Sequence, residues 1–218
     1  MTSPYKINHQ GEEFTIGNIS GNKIDYNFNQ MIRFLETKGK YIYGSKFKIH
    51  RKDHHVIFKL LVYIVRDKKN SKKHKIDLNR GVLLSGPVGS GKTTLMNLVR
   101  YISIRKYNYD IKSTRIISFE FIKDGHGVIT DYSSTKTFCF DDLGLEKNLK
   151  RYGNDCNVIG EILLSRYDLF ITKRVITHAT TNLNAEELES YYGNRVRSRM
   201  KEMFNLISFS KDTKDKRL

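Results

Sequence analysis

"VLLSGPVGSGKTTLMNLV", Val82 to Val99, decides how the chain is read. An apolar, strand-like run stops at a loop of Gly, Pro and Ser. A Lys and two Thr follow, and helical periodicity begins. Gly86, Gly91, Lys92 and Thr93 fit the spacing G-x-x-x-x-G-K-[ST]. The glycines let the backbone turn tightly, so consecutive amide N–H groups point at phosphate oxygens. A helix opening near Lys92 adds its N-terminal N–H groups and dipole to the same anion. The expected cradle is Gly86, Pro87, Val88, Gly89, Ser90, Gly91, Lys92, Thr93 and Thr94. In it the Lys92 ammonium reaches the β and γ phosphates of ATP, and the Thr93 hydroxyl is a ligand of Mg²⁺.

Such a loop needs an acid at the end of a neighbouring strand. "FCFDDLG" supplies one: Phe138, Cys139 and Phe140 bury the strand, and Asp141 and Asp142 close it. Asp141 is expected to hold Mg²⁺ through water, and Asp142 to orient or deprotonate the attacking water. "VITHATTN" ends a second buried strand on Asn182, a residue suited to holding the attacking water or the γ-phosphate, or else to capping the next helix. In "YYGNRVRSRMKEM", Arg195 and Arg199 are four apart and share one face of a helix. That face is either solvated or offered to the γ-phosphate of a neighbouring subunit.

Outward from the loop the pattern alternates. "GVLLS" reads as a strand, Thr93 to about Tyr107 as a helix, "TRIIS" and "TKTFCFDD" as strands, and "NVIGEILLSRYDLF" as a helix. "RVITHATTN" is a strand, "AEELESYYG" and "NRVRSRMKEM" are helical, and "FNLISFS" is a strand. The pattern predicts an α/β P-loop domain over 77–218, a three-layer sandwich with a parallel central sheet. Before it, 1–76 is expected to form a small, basic, mainly helical extension. Its first 24 residues carry no period, one helix runs Asp25–Lys38, "KYIYGSKFKI" is strand-like, and Asp53 caps a helix bearing Val56, Ile57, Leu60, Leu61, Ile64 and Val65. "RDKKNSKKHKIDLNR" reads as a basic loop.

The chain of 218 residues carries 39 Lys and Arg against 23 Asp and Glu. Fourteen of those cations against three acids fall between Lys38 and Arg80. Ala is scarce, so codon bias inflates Lys, but it does not explain the deficit of acids. The block fits a phosphate-facing patch, with Lys68, Lys69, Lys72 and Lys73 as candidate nucleic-acid contacts and Tyr41, Tyr43 and Phe47 available for stacking. No apolar run approaches a membrane span, no signal-peptide pattern opens the chain, and its two Cys, Cys139 and Cys156, form no CxxC pair. A reduced, cytoplasmic protein without membrane contact is expected.

Taken together, "GVLLSGPVGSGKTT", "FCFDDLG", "SRYD", "HATTNL" and "YGNRVRSRM" resemble the DnaC/IstB-type AAA+ ATPases, helicase loaders and transposition helpers, over roughly Asp77 to Phe209. The resemblance implies that Asn182 is the sensor-1 residue and that Arg195, or Arg199, is the arginine finger. It also implies an AAA+ module with no C-terminal lid domain and hence no sensor-2 arginine.

Two functions follow. The first is an ATPase, slow without its partner or DNA, that acts with DNA, expected to be single-stranded, and with a replicative helicase or a transposase-like protein. It would assemble into a homo-oligomer on ATP or DNA. The second is a small-molecule or nucleotide kinase on the same scaffold. The kinase accounts for the phosphate loop but not for the arginine helix or the basic block.

Overall fold

Two runs dictate the centre of the molecule. "GVLLS" and "FCFDDL" have almost no polar residue before their ends, the composition of strands buried on both faces. In the structure, a computed structural model, they are β5 (Gly81–Ser85) and β7 (Phe138–Leu143) of one five-stranded sheet. The described residues are 5–21, 23–146, 149–151 and 154–216. The first four residues of the expected extension and the last two of the expected P-loop domain therefore lie outside them.

The chain divides into two compact units: Met1–His74 with Leu95–Asn108, and Lys75–Thr94 with Tyr109–Leu218. In the first, β1 (Lys6–His9) pairs with β2 (Glu12–Thr15), and β3 (Gly17–Ser20) with β4 (Lys23–Tyr26), as two antiparallel hairpins. The strands are four residues each, too short for alternation to stand out against the surrounding polar sequence. The β1–β2 turn places Gln10 (φ 51°) and Gly11 (φ 81°) in the left-handed region that a two-residue hairpin turn requires. Helices α1 (Phe28–Tyr43), α2 (His54–Ile64) and α3 (Lys68–Lys73) follow. The expected strand "KYIYGSKFKI" is instead the last turns of α1 and a loop. Helical hydrogen bonding continues through Tyr43 until Gly44, at φ 99°, ends it. The expected basic loop contains α3, because the Asp67 carboxylate caps it by accepting from the Lys69 and Asn70 N–H groups at 3.0 Å. Phe14, Met31, Phe34, Leu35, Val56, Ile57, Leu60 and Leu61 are buried in this unit.

The second unit holds the sheet. Its strands are β5, β6 (Asp110–Ser113), β7, β10 (Thr177–Thr181) and β11 (Phe204–Ser208), in the order β11-β5-β10-β7-β6 and all parallel. A hairpin of β8 (Leu149–Arg151) and β9 (Asn154–Cys156) follows β7. The helices are α4 (Lys92–Val99, whose later residues belong to the first unit), α5 (Thr114–Asp124), α6 (His126–Tyr132), α7 (Val158–Lys173) and α8 (Ala185–Met203). "TRIIS", expected as a strand, opens α5, and the strand is the preceding "DIKS". The β-branched run imitates a strand, but Ile117 and Phe121, four apart and both buried, carry the helical period. Likewise α4 stops at Val99 rather than near Tyr107. Ile117, Phe121, Phe138, Phe140, Ile159, Ile162, Leu163, Ala179, Val196 and Met200 join strands and helices into one core, each large side chain contributing about 1.5–3 kcal/mol on burial.

Arg166, from "SRYD", is fully buried on α7. It donates to the carbonyls of Tyr132, Ser134, Lys136 and Ile176 at 2.9–3.0 Å and to Thr177 Oγ1 at 2.5 Å. Burial lowers its pKa to about 10. It ties the turn before β7 to the start of β10, a structural post beneath the site.

Candidate nucleotide site

In an open parallel sheet, ligands bind beyond the carboxyl ends of the strands, where connections diverge. Here β10 lies between β5 and β7, so the phosphate loop and the acids end on either side of Thr180, Thr181 and Asn182. The Gly86 N–H donates to Thr181 O at 3.2 Å and fixes the start of the loop against β10. Within the loop Gly89 and Gly91 stand at φ 74° and 91°, a region where a β-carbon is strained. Val88 is exposed, and the Ser90 hydroxyl is buried without a hydrogen-bond partner among the described residues. Lys92, only 6% exposed, turns its ammonium onto the carbonyls of Gly86 (2.8 Å) and Pro87 (3.0 Å). Thr94 lies two residues on, in the first turn of α4.

Thr93 and Asp141, 48 residues apart, meet directly. The Thr93 hydroxyl donates to the Asp141 carboxylate, with its oxygens at 2.9 and 3.0 Å. This hard-oxygen pair suits Mg²⁺, and the two residues would hold the ion between them.

The acids owe their placement to a bulge. Ala179 pairs with Phe140 and Thr181 with Leu143, so Thr180 alone faces both Asp141 and Asp142. The Thr180 hydroxyl fills the gap in the ladder. It donates to Asp141 Oδ1 at 2.7 Å and accepts from the Asp142 N–H at 2.8 Å. Asp142 takes φ 61°, and its carbonyl accepts from Thr114 Oγ1 at 2.9 Å. Bulges of this kind re-aim side chains at sites, and left-handed non-glycine residues concentrate there. Thr180 is not among the residues that the sequence motifs mark. The signal available was a pair of adjacent threonines closing a fully buried strand.

Asn182 stands one residue past β10, its Oδ1 buried with no partner among the described residues. The helix cap is Asn184, which forms a capping box with Glu187 at the start of α8. Arg195 and Arg199 lie beyond a break in α8 at Gly193 (φ 83°, ψ 158°). No hydrogen bond or ion pair among the described residues joins either to the loop or to the acids. Arg199 bonds Arg195 O at 3.2 Å and stacks on Tyr167 at 5.1 Å, whereas Arg195 is exposed.

A second missed pair is Glu146 and Tyr192. Both are buried; the Tyr192 hydroxyl donates to Glu146 and accepts from the Gly144 N–H at 2.9 Å. Burial and the Glu146 charge push the Tyr192 phenol well up in pKa. The bond joins the loop after Asp142 to α8 just before its break. The four candidate lysines Lys68, Lys69, Lys72 and Lys73 sit on α3, all exposed and in no ion pair among the described residues.

The fold is similar to that of solved structures. A DnaI crystal structure matches over 76% of this chain and 89% of its own, at 16% identity and TM-score 0.55. AMPPCP-bound DnaA from Aquifex aeolicus matches at 15% identity and TM-score 0.51, over 76% of this chain and 48% of the DnaA chain. The fold is the P-loop AAA+ fold. A crystal structure of the DnaC helicase loader aligns over 68% of this chain and 91% of that one, at 22% identity and TM-score 0.49. No family model and no curated protein matches the sequence. Among the described residues no helix is long and apolar enough to cross a membrane.

Proposed function

We infer that the protein is a Mg²⁺-dependent ATPase of the helicase-loader type, acting with DNA. The observation that supports it most is the meeting of Lys92, Thr93, Asp141 and Thr180 at the carboxyl ends of three adjacent strands. The loop amides and Lys92 bind the phosphates; Thr93 and Asp141 hold the ion, which neutralises phosphate charge when bound. Asp142, beside Asp141 at the bulge, orients the attacking water and takes its proton, and the open Oδ1 of Asn182 positions that water or the γ-phosphate. Arg195, exposed on α8, serves the site of a neighbouring copy in a homo-oligomer, and Arg199 buttresses it. The lysines of α3 meet the phosphates of single-stranded DNA, and the protein partner is a replicative helicase or transposase-like protein. Cytoplasmic placement fits this role.

A kinase reading accounts for the phosphate loop but not for the exposed Arg195 on α8 or for the basic block. ATP hydrolysis and particle mass, each measured with and without single-stranded DNA, separate the two. Hydrolysis and mass that rise together with DNA support the loader-type ATPase. A monomer that consumes ATP only with a small-molecule acceptor overturns it.

A further inference from the structure

The segment after β11 returns across the phosphate loop of the same unit. The Phe209 N–H donates to Ser85 O at 2.9 Å, and its side chain covers Gly86, where a β-carbon would lie 2.7 Å from Phe209 Cβ. A turn closed by the Thr213 N–H on Ser210 O (3.1 Å) brings the chain back. Lys216 then latches onto the loop. Its backbone N–H donates to Gly89 O at 3.1 Å, its ammonium donates to Ser90 O, and the same ammonium stands 4.7 Å from the centre of the Phe209 ring.

The latch brings Asp215 down on Gly89. A β-carbon on Gly89 would lie 2.1 Å from the Asp215 carboxyl carbon and 2.1 and 2.4 Å from its oxygens. The space beside this left-handed glycine is thus filled by a carboxylate of the same chain. On the loop, Lys216 bonds the carbonyls of Gly89 and Ser90, groups that phosphate does not use. Asp215, in contrast, brings negative charge to a loop whose amides and Lys92 make it a site for anions.

We propose that residues 209–216 form an intramolecular strap over the nucleotide site, with Asp215 as an internal anion that nucleoside triphosphate must displace. The proposal rests on the phosphate-loop reading above. ATP and the Asp215 carboxylate contend for one positive region, and the apparent affinity of the site is reduced by the fraction of molecules in which the carboxylate holds it. When nucleotide displaces Asp215, the bonds of Lys216 to Gly89 and Ser90 keep the strap tethered to the loop.

Asp215→Asn keeps the shape and removes the charge. Titrating the full chain with ATP, ADP and AMP at fixed Mg²⁺ should show ATP binding tightened about tenfold, the effect of one unit charge about 3–4 Å away when water screens it fully. ADP should gain less and AMP less than about twofold, because a charge effect scales with the phosphates that reach the loop. Asp215→Lys should tighten ATP at least as much. Unchanged or weaker ATP binding in both variants, or equal gains for the three nucleotides, would overturn the strap. Lys92→Ala tells the two failures apart. Parent affinity in Lys92→Ala sinks the phosphate-loop reading itself. Lost ATP binding in Lys92→Ala with a silent Asp215→Asn sinks the strap alone.

Discussion

The phosphate loop and the second half of α8 both present cations, under opposite circumstances. Lys92 is buried and held by two carbonyls of its own loop, whereas Arg195 stands in solvent past the break at Gly193. A cation aimed at a ligand bound by its own chain is oriented by folding. On the reading proposed above, Arg195 serves another copy of the chain, so folding leaves it open and assembly completes its geometry. The lysines of α3 are a third case, exposed and paired with nothing among the described residues, which suits a diffuse polyanion better than one bound group.

The sharpest way to break this contrast is Arg195→Ala. Nucleotide affinity should stay within about twofold while turnover falls roughly 10³-fold, the range for an arginine supplied to a γ-phosphate. Mixing it with Lys92→Ala protein should restore part of the activity, since one copy keeps the pocket and the other the arginine. No recovery at concentrations where the copies associate would make Arg195 structural. Asp142→Asn probes the loop side. It should bind ATP with Mg²⁺ yet turn over at least about 10²-fold more slowly. Because Asn also tolerates the left-handed backbone, its melting temperature should match the parent's. Full activity would move the water-orienting role to another residue.

A smaller effect comes from beneath the sheet ends. His178 on β10 accepts the Val82 N–H at 3.1 Å through Nδ1. Burial, and then the nearby Arg166, lower its pKa to about 3. The unfolded chain binds a proton here at about pH 6.5, which the folded chain refuses. The stabilisation is therefore complete above pH 6.5 and is lost as pH falls toward 3, at about 1.4 kcal/mol per unit. Denaturant unfolding of His178→Asn, compared with the parent between pH 7 and 5, should show a shallower acid loss; parallel curves would remove His178 as the cause. The smallest effect concerns α3. Replacing Lys68, Lys69, Lys72 and Lys73 with Ala should flatten the salt dependence of single-strand binding by roughly 0.7 in log-log slope per lost contact. ATP affinity should not change. A parent-like slope would reduce the block to a solvated surface.

Much of the site is legible in one dimension, because a phosphate loop is built from consecutive residues. Tight turns need glycine, the cation must follow the second glycine, and a helix must start there. The buried parallel strands were legible for a related reason, since "GVLLS" and "FCFDDL" have no polar face. The short hairpins of the first unit, the helix hidden in "TRIIS" and the cap that turns a basic loop into α3 were not. In each, local propensity was too weak or too ambiguous, and packing or a single hydrogen bond decided the outcome.

What the sequence by itself determined is the chemistry carried by contiguous residues: the cradle from Gly86 to Thr94, the Asp141–Asp142 pair and the arginine pair four residues apart. The tertiary structure alone decided the relations between distant segments. It set Thr180 opposite both acids through a two-for-one register, joined Thr93 to Asp141, linked Tyr192 to Glu146, and laid Asp215 on Gly89. Hydrogen bonds and contacts of that kind depend on ångström-scale register between strands and loops far apart in the chain, and no local pattern of residue types encodes that register.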